Sequence, residues 1–195
     1  PAEVDVMQYG TLMHYLFEQV FRAPAEERAA WGEEELEARV RQLIDRYAGE
    51  NLGGMELLSA QERYRLERMA RSACKLIRHV EEELAQSRFV PEKLEWGLGA
   101  GRDAPPLRIP TAKGTVTVGG TIDRVDVYLG SDGCRYVRVI DYKTGHKSFR
   151  LPDVLLGLNM QMLVYLAALV EGGQEFPAGV LYLPAAEPSV SVDRG

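Results

Sequence analysis

Two cysteines in 195 residues, Cys74 and Cys134, are too few for a disulfide framework or a zinc site with paired-cysteine spacing. They read as reduced thiols, which points to a cytosolic compartment. No apolar run reaches the roughly 18 residues of a membrane span, so no membrane association is expected. The opening PAEVDVMQYG lacks a basic segment followed by an apolar one, so no secretory signal is expected. With its start at Pro1 and its ending SVSVDRG, the chain reads as a fragment of a longer protein. Basic charge is also short: 23 Lys and Arg stand against 29 Asp and Glu, a net charge of −6. That balance argues against non-specific adhesion to polyanions.

What is present suits a soluble core. Hydrophobic residues make up 46% and charged residues 27%, ordinary values for a globular domain. The first half reads as helical. Met7, Leu12, Met13, Leu16, Phe17, Val20 and Phe21 recur at helical spacing, and Ala23-Pro24 ends the run. A second helix is expected over Glu33 to Tyr47, broken by the glycines at 49 to 54. A third starts from Ser59, an N-cap with Glu62 three residues on, and runs to about Gln86. Its many charges read as a solvated face.

The second half changes period. Strands are expected at Lys93–Leu98, Thr115–Val118, Thr121–Leu129, Tyr136–Tyr142 and Ala178–Leu183, with Arg102–Pro110 a polar connection. Ser131-Asp132-Gly133 is a hairpin turn, and Asp153–Glu171 a helix. The order implies a mixed α/β fold of α+β type, a central mixed β-sheet flanked by helices. A single domain over 1–195 is expected, with 1–90 as an N-terminal helical elaboration and 91–195 as the sheet core.

The segment GTIDRVDVYLGSDGCRYVRVIDYK, residues 120–143, carries the chemistry. Alternation puts Asp123, Val125, Val127 and Leu129 on one face of the first strand. Val137, Val139, Asp141 and Lys143 share a face of the second. Burying the valines together requires 125 opposite 139 and 127 opposite 137, because a one-residue slip would oppose valine to Arg138 and Tyr136. This register pairs Asp126 with Arg138 on the other face and brings Asp123 opposite Asp141. Opposed like charges destabilise a sheet, and a bound divalent cation is the economical offset. Magnesium takes oxygen ligands, and the Lys143 ammonium can orient a water or neutralise a phosphate. On the residues alone, a solvated salt-bridge cluster at a strand end is the competing reading.

These residues resemble the PD-(D/E)XK nuclease superfamily, in its RecB-like branch. The GxIDRxD signature reads Gly120-Thr121-Ile122-Asp123-Arg124-Val125-Asp126, and DYK(S/T)G reads Asp141-Tyr142-Lys143-Thr144-Gly145. GxxxH occurs as Gly10 to His14 and QxxxY as Gln161 to Tyr165, in the branch's order. Within the branch, DYKTGHKSFRLPDVLLGLNMQMLVYLAAL and PAGVLYLP resemble the C-terminal nuclease domains of AddB-type helicase–nuclease proteins. The resemblance implies a restriction-endonuclease-like core and a Mg²⁺-dependent deoxyribonuclease, with Mn²⁺ as substitute, that processes double-strand DNA ends for recombinational repair. DNA, single-stranded or at duplex ends, and the A-type partner of a helicase–nuclease complex would be its partners. Asp123, Asp141 and Lys143 would be catalytic, and His14, Asp123, Asp141 and the Tyr142 carbonyl would hold the metal. Gln161 and Tyr165 would contact substrate, with Glu95 a further candidate carboxylate. Outside this resemblance His14 reads as a half-buried core residue, Gln161 and Tyr165 as an ordinary helix face, and His146 and Lys147 as a solvated turn. The acidic net charge is compatible with a DNA substrate, since a magnesium-recruiting site is itself acidic and other parts of a larger machine can supply a basic track. An iron–sulfur cluster held by four flanking cysteines is expected in the full-length family, but Cys74 and Cys134 do not match its ligands. The alternative function is a non-catalytic DNA-binding or structural module of a helicase complex that keeps the fold. A hydrolase of small phosphates is disfavoured by the lack of a Gly-rich phosphate loop.

Overall fold

A computed structural model describes residues 6–143, 161–171 and 173–184. The expected elements at 144–147 and 153–160, with His146 and Lys147, lie outside the described residues. The chain forms two compact units, one holding the helices up to Glu81 together with Lys143, the other holding Glu82–Tyr142, the final helix and the final strand up to Leu183.

The first unit begins with α1, Val6–Phe21, whose Leu12, Met13, Leu16, Phe17, Val20 and Phe21 are buried as their spacing requires. A short helix that the sequence did not announce, α2 at Ala25–Ala30, follows Pro24, which suits a helix start but not a helix interior. Next, α3 spans Glu33–Asn51 and buries Leu36, Val40, Ile44 and Ala48. It runs one turn past the expected end. Gly53, at φ 81°, makes the left-handed turn after it, and the Gly54 amide donates to the Ala48 carbonyl. Helix α4, Ala60–Ala85, opens on a capping box. The Glu62 amide donates to Ser59 Oγ at 3.2 Å, and the Ser59 amide donates back to Glu62 Oε2 at 2.7 Å. Leu66, Met69, Ala73, Ile77 and Val80 form the buried stripe of α4 and leave its charged residues largely to solvent. Among the described residues no helix is long and apolar enough to cross a membrane.

The second unit is a mixed α/β arrangement built on a four-stranded sheet in the order β1-β4-β5-β6. These strands are β1 Val90–Leu98, β4 Gly120–Leu129, β5 Arg135–Lys143 and β6 Glu175–Pro184. Both β1 and β5 run antiparallel to β4. The β4–β5 turn is tied by the Cys134 amide donating to Asp132 Oδ1, with Gly133 at φ 79°. Helix α5, Gln161–Val170, joins β5 to β6 and lays Met162, Tyr165 and Leu166 on Ile122, Val125, Val127, Val137 and Val139.

One expectation is corrected. The polar connection at 102–110 contains a strand, β2 at Leu107–Thr111, which pairs with β3 at Gly114–Val118 as a separate two-stranded sheet. Leu107 meets Val118 and Ile109 meets Val116, so an apolar alternation was there, masked by Arg108 and Pro110. Proline is tolerated because a two-stranded ribbon consists of edges.

Candidate metal centre

The pair β4–β5 adopts the register that the valines demand: Val125 faces Val139, Val127 faces Val137 and Asp126 faces Arg138. The ladder runs as far as Arg124–Ile140, and Asp123 and Asp141 are the next residues along their strands. Both aspartates are half-buried, and Asp141 Oδ2 is shielded from solvent. The Tyr142 amide donates to Asp123 Oδ2 at 2.7 Å, so this strand end is held by a carboxylate. Lys143 is the last residue of β5, half-buried, and alternation gives it the same side as Asp141.

Glu95 comes to the same place from β1. Leu94 pairs with Arg124 and Trp96 with Ile122, so Glu95 falls opposite Asp123. Its backbone is left-handed at φ 46°, the one non-glycine residue with positive φ among those described. Such a conformation costs on the order of 1–3 kcal/mol and persists where the surroundings over-determine it. Carboxylate oxygens of Glu95 and Asp123 approach within 4.8 Å. Asp141 does not join those two within that distance. Close carboxylate oxygens on a strained strand suit a hard cation with oxygen ligands. His14 lies half-buried on α1, beside the buried Met13. The sequence carried Glu95 only as a loose candidate, and nothing in it announced the left-handed backbone.

The opposite face of β4–β5 is buried too. Asp126, 0% exposed, accepts from Arg124 Nε at 2.7 Å and from Arg138 Nε at 3.0 Å. Arg138 continues to Glu83 at 2.9 Å, so two guanidiniums meet two carboxylates. Arg124 Nη1 donates to the Tyr142 hydroxyl at 2.9 Å. Burial pushes that hydroxyl well above its usual pKa, so it stays a neutral phenol. The expected Asp126–Arg138 pairing is present, and Arg124 is the member that sequence reasoning missed.

Gln161 and Tyr165 hydrogen-bond each other, with Gln161 Nε2 donating to the Tyr165 hydroxyl at 2.6 Å. Gln161 is exposed while Tyr165 is buried. Tyr165 rests on the first glycine of GxIDRxD: a Cβ at Gly120 would lie 1.8 Å from its hydroxyl oxygen. This contact explains why the motif starts with glycine. The thiols do not fit an iron–sulfur cluster. Cys74 lies on α4, where burial pushes it up to about 11, and Cys134 lies in the β4–β5 turn.

Comparison with known proteins bears on this geometry. Residues 1–194 match the model of the PD-(D/E)XK nuclease superfamily. A protein of Caldanaerobacter subterraneus subsp. tengcongensis, named as the B subunit of an ATP-dependent helicase/deoxyribonuclease, is 34% identical over 95% of this chain. Proteins of the same name from Symbiobacterium thermophilum and Clostridium novyi are each 35% identical over 95% of it. The chain spans 17% of the length of each of these relatives.

Proposed function

This chain belongs to the PD-(D/E)XK nuclease superfamily, and we propose that it is a Mg²⁺-dependent deoxyribonuclease domain of a helicase–nuclease. In that role it hydrolyses DNA phosphodiester bonds, as an exonuclease, during the processing of double-strand ends for recombinational repair. The observation that carries the reading is the meeting of Asp123 with Glu95, with Asp123 and Asp141 each next to the last paired residues of β4–β5. The family match runs through both compact units, which supports treating them as a single nuclease domain.

Asp123, Asp141 and the Tyr142 carbonyl hold the cation in this proposal, with Glu95 as an added carboxylate and His14 contributed through its GxxxH motif. When bound, Mg²⁺ or Mn²⁺ would polarise a phosphoryl oxygen and make a bound water more acidic than bulk water. Lys143 contributes an ammonium that orients the attacking water and offsets charge on the phosphate in the transition state. Gln161, exposed at the start of α5, reaches the substrate strand, and Tyr165 holds Gln161 in place. DNA, single-stranded or at duplex ends, is the substrate. The A-type member of the helicase–nuclease complex partners the full-length protein in the bacterial cytoplasm, following the names of the relatives.

The test is cleavage of a labelled single-stranded DNA by this chain with Mg²⁺, beside an EDTA control and Asp141→Ala. The expected result is cleavage that EDTA abolishes and that the variant lowers by about a thousandfold, matching several kcal/mol of lost charge stabilisation. Equal inertness of a folded parent and a folded variant would defeat the reading.

A further inference from the structure

We propose that Arg124 is a positioning residue, fixing the Asp123 carboxylate for its cation through Tyr142. The proposal rests on the metal-site reading above. Consecutive residues of β4 point to opposite faces of the sheet, and both reach the same residue of β5. Asp123 Oδ2 accepts the Tyr142 amide at 2.7 Å on one side, while Arg124 Nη1 donates to the Tyr142 hydroxyl at 2.9 Å on the other. Tyr142 is therefore clamped at both of its ends by neighbouring residues of a single strand.

The guanidinium has little freedom. Its Nε and Nη2 take Asp126 Oδ1 and Oδ2 at 2.7 and 3.1 Å, which leaves Nη1 for the phenol. Asp126 is gripped in turn by Arg138, which Glu83 and the face of Phe89 hold. Arg124 itself is 0% exposed. A buried ion cluster of this kind is seldom worth more than well-packed apolar side chains, so net stability is a weak reason for it. Fixed geometry is the better reason. A planar fork with five donors pins the tyrosine ring in one orientation, and the ring sets where the Tyr142 amide points. Like-charged carboxylates otherwise push apart, and that amide is the donor holding one of them in place.

The experiment uses the 195-residue chain with Arg124→Lys and the milder Tyr142→Phe, which keeps the ring and loses the hydroxyl. Amide hydrogen exchange is read at residue 142 and, as an internal standard, at Val125 and Val139. Mn²⁺ affinity is then measured calorimetrically on the same samples. In both variants exchange at residue 142 is expected to accelerate and Mn²⁺ binding to weaken, each by about threefold to tenfold, the scale of one hydrogen bond. The valine amides keep the parent's protection. A purely structural role would instead speed exchange at all three positions together, and that result overturns the proposal. So does parent-like exchange at residue 142 in a folded Tyr142→Phe, or Mn²⁺ affinity that stays at the parent's value despite faster exchange. A parent that takes up no Mn²⁺ defeats the metal-site reading instead, and exchange at residue 142 still decides the clamp.

Discussion

Asp123 and Asp126 lie on the same strand, yet Asp126 meets two guanidiniums while Asp123 meets the carboxylate of Glu95. The two faces of β4–β5 thus use the same side chain in opposite ways. On the Arg124 face every charge is answered within the fold: Arg124 and Arg138 share Asp126, and Glu83 balances the remainder. On the Asp123 face a second carboxylate, Glu95, comes within 4.8 Å, on a strand that is backbone-strained at that residue. Balanced burial serves the structure. Concentrated like charge costs stability, and a fold keeps it for something that arrives from outside.

The largest effect expected from this contrast is in stability. Asp126→Ala leaves two buried guanidiniums without their shared carboxylate and is expected to cost about 3–5 kcal/mol. Asp123→Asn keeps an acceptor for the Tyr142 amide while removing a charge. It is expected to stay within about 0.5 kcal/mol of the parent or to exceed it, since like-charge crowding is relieved. Urea unfolding of the two variants side by side checks both values. Equal losses would show that the faces do not differ in kind.

How much of this could be read beforehand follows from the same contrast. The valines at 125, 127, 137 and 139 fixed the register, because slipping by one would expose the apolar set. The Ser59–Glu62 cap and the 131–133 turn were equally local and equally readable. The Arg124 face was not. Ile140 apart, its residues are charged or aromatic, so alternation marks no clear apolar stripe there, and its burial is decided by contacts distant in sequence. The Tyr142–Arg124 bond spans 18 positions, and no local pattern announces it. The strand at 107–111 was hidden by Pro110, and the left-handed Glu95 by the absence of any glycine signal. Local rules located the charges; long-range packing decided which of them are satisfied.

A smaller effect tests how the Asp123 strand is held at its start. Gly120, at φ 156°, receives the Tyr165 hydroxyl where a Cβ would stand. Gly120→Ala is expected to cost about 1–3 kcal/mol, the usual range for overpacking a filled site. The cost should shrink in a Tyr165→Phe background, where the hydroxyl oxygen nearest that Cβ is gone. A double-mutant cycle read by thermal unfolding gives the coupling. Additive losses would mean that the tightness at Gly120 comes from backbone conformation and not from Tyr165.

The smallest effect comes from a carboxylate that neither face claims. Glu62 closes the capping box of α4, and hydrogen bonds from the Ser59 hydroxyl and then the Ser59 amide hold its carboxyl below the usual range. A carboxylate whose folded pKa is depressed adds stability above its unfolded value and loses it as pH falls through the folded one. Glutamine also serves in a capping box, so Glu62→Gln should melt only slightly below the parent at neutral pH. The gap should close as pH falls below the usual carboxylate range, when both side chains are neutral. Thermal unfolding of the two proteins across that range checks the sign. A gap that persists or widens in acid would assign the contribution of Glu62 to packing, and would remove the surface reference against which the buried and the crowded carboxylates are judged.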